Sequence, residues 1–175
     1  MEIGKSLLET LIKLSLAFSK EDIKFCLVGG LAMGMIARPR ATEDIDVLVL
    51  LGEDQKKRVS ETIHRNFDVI LQHNEVMVIG KTKILRFLLQ DPHLKEGIII
   101  VDILFTENVI YSNAVKNSIK VTVNSTQIPV VKPEDLILIK MLSNRDQDKI
   151  DIQIIIEENE DNIDKEYIST WKKFI

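Results

Sequence analysis

Residues 25–49 read FCLVGGLAMGMIARPRATEDIDVLV, and this stretch constrains the fold more than any other. An apolar run from Phe25 to Val28 meets Gly29 and Gly30. A segment of small and apolar residues follows and predicts a short helix over 30–37. A basic loop, Arg38-Pro39-Arg40-Ala41-Thr42-Glu43, leads into Asp44-Ile45-Asp46 and a second apolar run to Leu51. Side chains of a strand alternate between its faces, so Asp44 and Asp46 project together while Ile45 and Val47 point the other way. Two carboxylates side by side repel unless something neutralises them, and a divalent cation held by hard oxygen ligands is the usual solution. The Gly-Gly turn would let a phosphate approach the backbone at a helix N-terminus. The plain alternative for the same residues is a helix-initiating turn followed by a solvated strand edge.

The rest of the chain supplies strands and helices in alternation. Leu7, Leu11, Leu14 and Phe18 recur at helical spacing and predict an amphipathic helix over 4–20. Strands are expected over 24–28 and 44–51, with Gly52-Glu53-Asp54 as a turn opening a helix over 54–66. Short strands are expected over 69–71 and 76–79. A longer one over 83–90 carries Ile84, Arg86, Leu88 and Gln90 on one face. Residues 98–105, IIIVDILF, read as a fully buried strand. Asp102 is the anomaly in it, because an isolated buried carboxylate is costly. It is either a third metal ligand or an edge carboxylate capping a neighbouring loop. The first is preferred, since functional sites are where such local rules break.

Residues 107–118 read as weak helix or loop, and 119–123 with 127–131 as a hairpin. Lys132-Pro133-Glu134-Asp135 opens a helix, with proline at its first position and acids in its first turn. Leu136, Ile139, Lys140 and Ser143 share one face of it, so Lys140 lies on the stripe expected to look inward. A further helix over 145–158 brings Asp148 and Asp151 together, three residues apart. The acidic run 157–164 reads as a solvated turn, and 167–174 as a short closing helix. Gly34, inside the helix over 30–37, is expected to allow close packing on the sheet. The pattern is that of a mixed α/β fold in a single domain over 1–175.

Composition narrows the function classes. At 45% apolar and 29% charged residues, the chain has the balance of a soluble globular protein. A net charge of −4 argues against a nucleic-acid binder acting through overall charge, while leaving room for a local basic patch. Cys26, the single cysteine, reads as a small buried hydrophobe. His64, His73 and His93 have no partners at ligand spacing and read as surface or partly packed residues. No signal peptide is visible and the apolar runs are far short of a membrane span, so a cytoplasmic protein with no membrane partner is expected.

The Gly-Gly turn followed by Asp-x-Asp in a second strand, with thirteen residues between Gly30 and Asp44, resembles the signature of the DNA polymerase β-like nucleotidyltransferase superfamily. The run from Pro129 to Leu136, then Lys140, Arg145, Asp148 and Asp151, is similar to the AbiEii-like branch of abortive-infection and toxin–antitoxin nucleotidyltransferases. So is the Arg40-Ala41-Thr42-Glu43-Asp44 approach. The resemblance covers residues 25–152 and implies a mixed sheet flanked by helices, with the active site at one end of the sheet. It further implies that Asp44, Asp46 and Asp102 are catalytic and bind two magnesium or manganese ions. Gly29 and Gly30 would face a nucleoside triphosphate, Arg40 and Lys140 would contact its phosphates, and Thr42, Arg145 and Asp148 would complete the nucleotide site. Without nucleotide, Lys140 is expected to pair with one of Asp44, Asp46 and Asp102.

The implied reaction moves a nucleoside monophosphate to a hydroxyl of tRNA, a protein or a small molecule, and an antitoxin protein is the implied partner. The alternative is a non-catalytic nucleotide-binding or toxin–antitoxin interaction module that keeps the fold. Larger members carry a further acceptor domain, so the acceptor is left open.

Overall fold

The computed structural model describes residues 2–50, 55–73, 77–79, 82–105, 108–143 and 145–175. Eight strands form one mixed sheet: β1 (Phe25–Val28), β2 (Asp44–Val49), β3 (Val69–Gln72), β4 (Met77–Ile79), β5 (Thr82–Gln90), β6 (Ile98–Phe105), β7 (Ile119–Val123) and β8 (Thr126–Val130). Their order is β3-β5-β6-β2-β1-β8-β7, with β4 paired to β5. The centre of the sheet is β6-β2-β1. There β2 runs parallel to β6 and antiparallel to β1. Strand β1 is buried on both faces through Cys26 and Leu27, and β2 and β6 bury one face through Ile45, Val47, Val101 and Ile103.

Seven helices complete the described fold: α1 (Glu2–Lys20), α2 (Gly29–Ile36), α3 (Gln55–Asn66), α4 (Val109–Lys116), α5 (Pro133–Ser143), α6 (Asp146–Glu158) and α7 (Lys165–Lys172). The α1 stripe of Leu7, Leu11, Leu14 and Phe18 is buried, and α1 packs on α3, β2 and β8. Helix α5 packs on α4, α6 and α7, which makes it the hub of the C-terminal half. Where sequence left 107–118 between helix and loop, a helix forms. The Asn108 side chain caps it by accepting from the Ile110 amide at 2.8 Å, satisfying one orphan donor of its first turn.

Two local expectations are corrected, and three more touch residues outside the described ones. Strand β6 is not buried throughout. Ile98 is exposed, and Ile100 and Leu104 are half-buried. These residues share a face with Asp102 by strand alternation, and that face is open to a cleft. Gly34 does not owe its place to the sheet, because a Cβ there would meet Pro39 Cα at 3.6 Å, an ordinary contact. The turn expected at Gly52-Glu53-Asp54, and the ends of two expected elements at Val76 and Glu107, lie outside the described residues.

Candidate active site

Register places the carboxylates. Asp46 on β2 lies opposite Asp102 on β6, and Asp102 in turn lies opposite Arg86 on β5. Residues opposed across neighbouring strands project to the same face, and Asp44 joins them two residues before Asp46. The three carboxylates each offer an oxygen, and those oxygens lie within 4.8 Å of one another. They sit in a cleft of about 830 Å3 bounded by Gly29, the 40–46 segment, β5, β6 and the inner face of α5.

The two glycines are where they are for different steric reasons. Gly29 has φ +68°, in the left-handed region, and a Cβ on it would stand 1.9 Å from Asp46 Oδ2. A Cβ on Gly30 would stand 2.5 Å from Thr42 Oγ1. The first glycine therefore lets α2 start directly beside Asp46, and the second lets the 40–43 loop close over that start. The Thr42 hydroxyl donates to Asp44 Oδ1 at 2.7 Å and fixes the first carboxylate.

Electrostatics follow from the crowding. Burial first, then the charges of Asp44 and Asp102, push the Asp46 carboxyl up to about 7. Asp102 is held by Arg86 through a two-pronged ion pair, Nε to Oδ1 at 2.7 Å and Nη2 to Oδ2 at 2.6 Å. Three hard oxygen donors in mutual repulsion are the ligand chemistry that suits magnesium or manganese, so these residues fit a divalent cation.

The basic side of the cleft differs from expectation. Lys140 does point inward, and it is 5% exposed. It does not pair with Asp44, Asp46 or Asp102. Its ammonium donates to Asp151 Oδ2 at 2.5 Å and Asp148 Oδ1 at 3.1 Å. The physical reason is the packing of α5 on α6, which turns both α6 carboxylates toward α5 and leaves them 0–1% exposed. Buried carboxylates need a cation, and Lys140 is the one at hand.

Burial would raise Asp148, but hydrogen bonds from Arg145, Ser143 and Lys140 outweigh it and hold the carboxyl well below its usual range. Arg145 Nε reaches Asp148 Oδ2 at 2.8 Å, and Arg40 Nε lies 3.7 Å from Asp151 Oδ2. The cluster thus sets three cations against two carboxylates and carries net positive charge beside the carboxylate trio. Gly29, Arg40, Thr42, Lys140, Arg145 and Asp148 all line the cleft, and Gly30 stands just behind Thr42.

Two participants were not assigned a role from sequence. Arg86 was visible only as a charge on one face of an apolar strand, and its partner Asp102 stands on the neighbouring strand, β6. Asp151 was visible as a neighbour of Asp148, without the lysine between them. The histidines stay outside the cleft: His93 contacts Glu9, and His64 contacts the Ser60 carbonyl and the Phe87 ring.

This geometry agrees with sequence comparison. The profile of the nucleotidyl transferase AbiEii toxins of type IV toxin–antitoxin systems matches residues 11–171. The chain belongs to the AbiEii nucleotidyltransferase family. It is therefore a transferase of nucleotidyl groups from a toxin–antitoxin family, and no curated protein matches it by sequence.

Solved structures agree at the level of fold. An antigenic nucleotidyltransferase-like protein from Paracoccidioides brasiliensis is similar with a TM-score of 0.62 at 16% identity, over 95% of this chain and 85% of that one. ANT(2")-Ia in complex with adenylyl-2"-tobramycin gives 0.56 at 11% identity, over 95% and 94%. JHP933 from Helicobacter pylori gives 0.52 at 19% identity, over 95% and 71%. At such identities the shared property is the nucleotidyltransferase fold. Among the described residues, no helix is long and apolar enough to cross a membrane.

Proposed function

We propose that this AbiEii-family chain transfers a nucleoside monophosphate from a nucleoside triphosphate to a hydroxyl group, using magnesium held by Asp44, Asp46 and Asp102. The observation that carries the reading is the meeting of these carboxylates, within 4.8 Å, beside the N-terminus of α2 in a cleft of ligand size. When bound, the metal supplies charge neutralisation at the triphosphate and lowers the cost of deprotonating the acceptor hydroxyl.

The chain's own residues do the rest. The left-handed turn at Gly29 brings the backbone of the α2 start beside Asp46, where the positive end of the helix favours phosphate oxygens. Arg40 and Arg145 present partly exposed guanidinium groups, with side chains 38% and 72% exposed, to the same cleft. They suit bidentate contacts with phosphate. Lys140 adds a fixed positive charge behind them and holds Asp148 and Asp151 in place. The acceptor oxygen attacks the α-phosphorus in line. The bond from α-phosphorus to the bridging oxygen breaks, pyrophosphate leaves, and the hydroxyl proton is released. Positioning and electrostatic stabilisation supply most of the rate in such a site.

The acceptor is a hydroxyl of tRNA, of a protein side chain or of a small molecule, and a cognate antitoxin is the expected partner in a cytoplasmic setting. Triphosphates labelled at the α- or the γ-position, incubated with magnesium and fractionated extract, test the reading. The α-label is expected on one acceptor class and the γ-label in pyrophosphate. Release of γ-label as inorganic phosphate, with no α-label on any macromolecule or small molecule, would contradict it.

A further inference from the structure

The three carboxylates are not equivalent. Asp44 accepts one hydrogen bond from a neutral hydroxyl, that of Thr42. Among the described residues neither Asp44 nor Asp46 has a cation within ion-pair distance. Asp102 is different, since both of its oxygens are occupied by the Arg86 fork. The fork is anchored by register, because Arg86 and Asp102 are opposed on paired strands. Asp102 is 4% exposed, whereas the Arg86 side chain is 33% exposed and lines the cleft. The arginine is therefore the partner with room to leave.

We propose that Arg86 is a resident cation that closes the Asp102 side of the site to a second metal ion until a triphosphate draws the guanidinium away. The proposal rests on the reading of the carboxylate trio as a cation site. A divalent ion between Asp102 and the other two carboxylates would face a guanidinium already bound to the same oxygens, and like charges at that separation repel strongly in a partly buried site. The first ion meets no such barrier at Asp44 and Asp46. A triphosphate offers Arg86 an alternative set of anionic oxygens with the planar geometry its fork prefers. The order of assembly follows: first ion, then triphosphate, then the second ion as Arg86 turns from Asp102 to phosphate. Arg86 is in this sense a positioning residue that couples metal stoichiometry to nucleotide.

Counting bound manganese tests this without reference to turnover. Manganese is titrated against the whole chain without nucleotide, and free manganese is read by electron paramagnetic resonance. The wild type is expected to take one ion. Arg86→Gln is expected to take two, since Asp102 is then uncovered. Arg86→Lys, which reaches only one oxygen, should also admit the second ion, more weakly, and serves if the glutamine variant does not fold. A non-hydrolysable triphosphate should raise the wild type by one ion beyond the manganese that the nucleotide chelates without protein, and the absence of such a rise would overturn the proposal. Two ions on the wild type alone would overturn the proposal, as would a single ion on both variants. No manganese on any of the proteins would overturn the cation-site reading itself, a result that looks different from failure of the gate.

Discussion

Lys140 Nζ lies 2.5 Å from Asp151 Oδ2, with both groups almost wholly shut off from solvent. With Asp148 at 3.1 Å, the ammonium is the buried knot joining α5 to α6. Removing one partner of a buried ion pair leaves uncompensated charge and costs about 3–5 kcal/mol. Lys140→Met is therefore expected to lose stability of that order in chemical denaturation, with or without nucleotide. Adding Asp151→Asn to Lys140→Met should recover part of the loss. A Lys140→Met protein as stable as the wild type would show that the ion pair contributes nothing to the fold.

Asp46 gives the metal-free protein a characteristic pH dependence. Its carboxyl titrates near 3.8 as a free side chain and at about 7 in the fold, raised by burial and by Asp44 and Asp102. Between those values the folded chain keeps a proton that the unfolded chain has released. Stability contributed by this group therefore falls as pH rises from about 4 to about 7, and levels off above. Magnesium competes with the same proton, so its affinity should increase as pH rises toward about 7 and then plateau. Melting temperatures across this range, with and without magnesium, check both statements. Asp46→Asn should lack the slope, and an unchanged slope in that variant would assign it to another group.

Gly29 is a steric requirement of the site. At φ +68° a side chain costs about 1–2 kcal/mol in backbone strain alone. The added Cβ would also force Asp46 from its place, being 1.9 Å from Oδ2. Gly29→Ala is expected to fold with reduced stability and to lose the extra thermal stabilisation that magnesium plus triphosphate gives the wild type. Gly34→Ala is the control. Its Cβ makes only an ordinary contact with Pro39, and it should gain up to about 1 kcal/mol of helix propensity. Equal responses to ligand in Gly29→Ala and wild type would remove Gly29 from the site.

Local chemistry made the first half of the site legible in sequence. Alternation along one strand paired Asp44 with Asp46, and the interruption of an apolar run singled out Asp102. What sequence could not supply was the lateral order of the sheet. The parallel pairing of β2 with β6 aligns Asp46 with Asp102, and these strands are far apart in the chain. Arg86 was hidden for the same reason, since its meaning comes from the strand beside it. Lys140 shows the limit of helical periodicity. The stripe through Leu136 and Ile139 told which way the lysine faces, but not which anion it meets. That depended on how α6 folds back on α5. Helix α4 is only eight residues long, and its buried stripe of Ile110, Tyr111, Ala114 and Val115 covers barely two turns.

Pyrophosphate release by wild type, Asp44→Asn and Asp46→Asn offers the most direct measurement of the carboxylate-dependent transfer. Each protein is incubated with magnesium, the four common ribonucleoside triphosphates and fractionated extract as acceptor, and pyrophosphate is followed by a coupled assay. The wild type is expected to release pyrophosphate in step with labelled acceptor. The two variants should fall to background while melting at or slightly above the metal-free wild type, because each removes one of several crowded negative charges. Pyrophosphate release by Asp46→Asn at the wild-type rate would contradict the assignment of these carboxylates to nucleotidyl transfer.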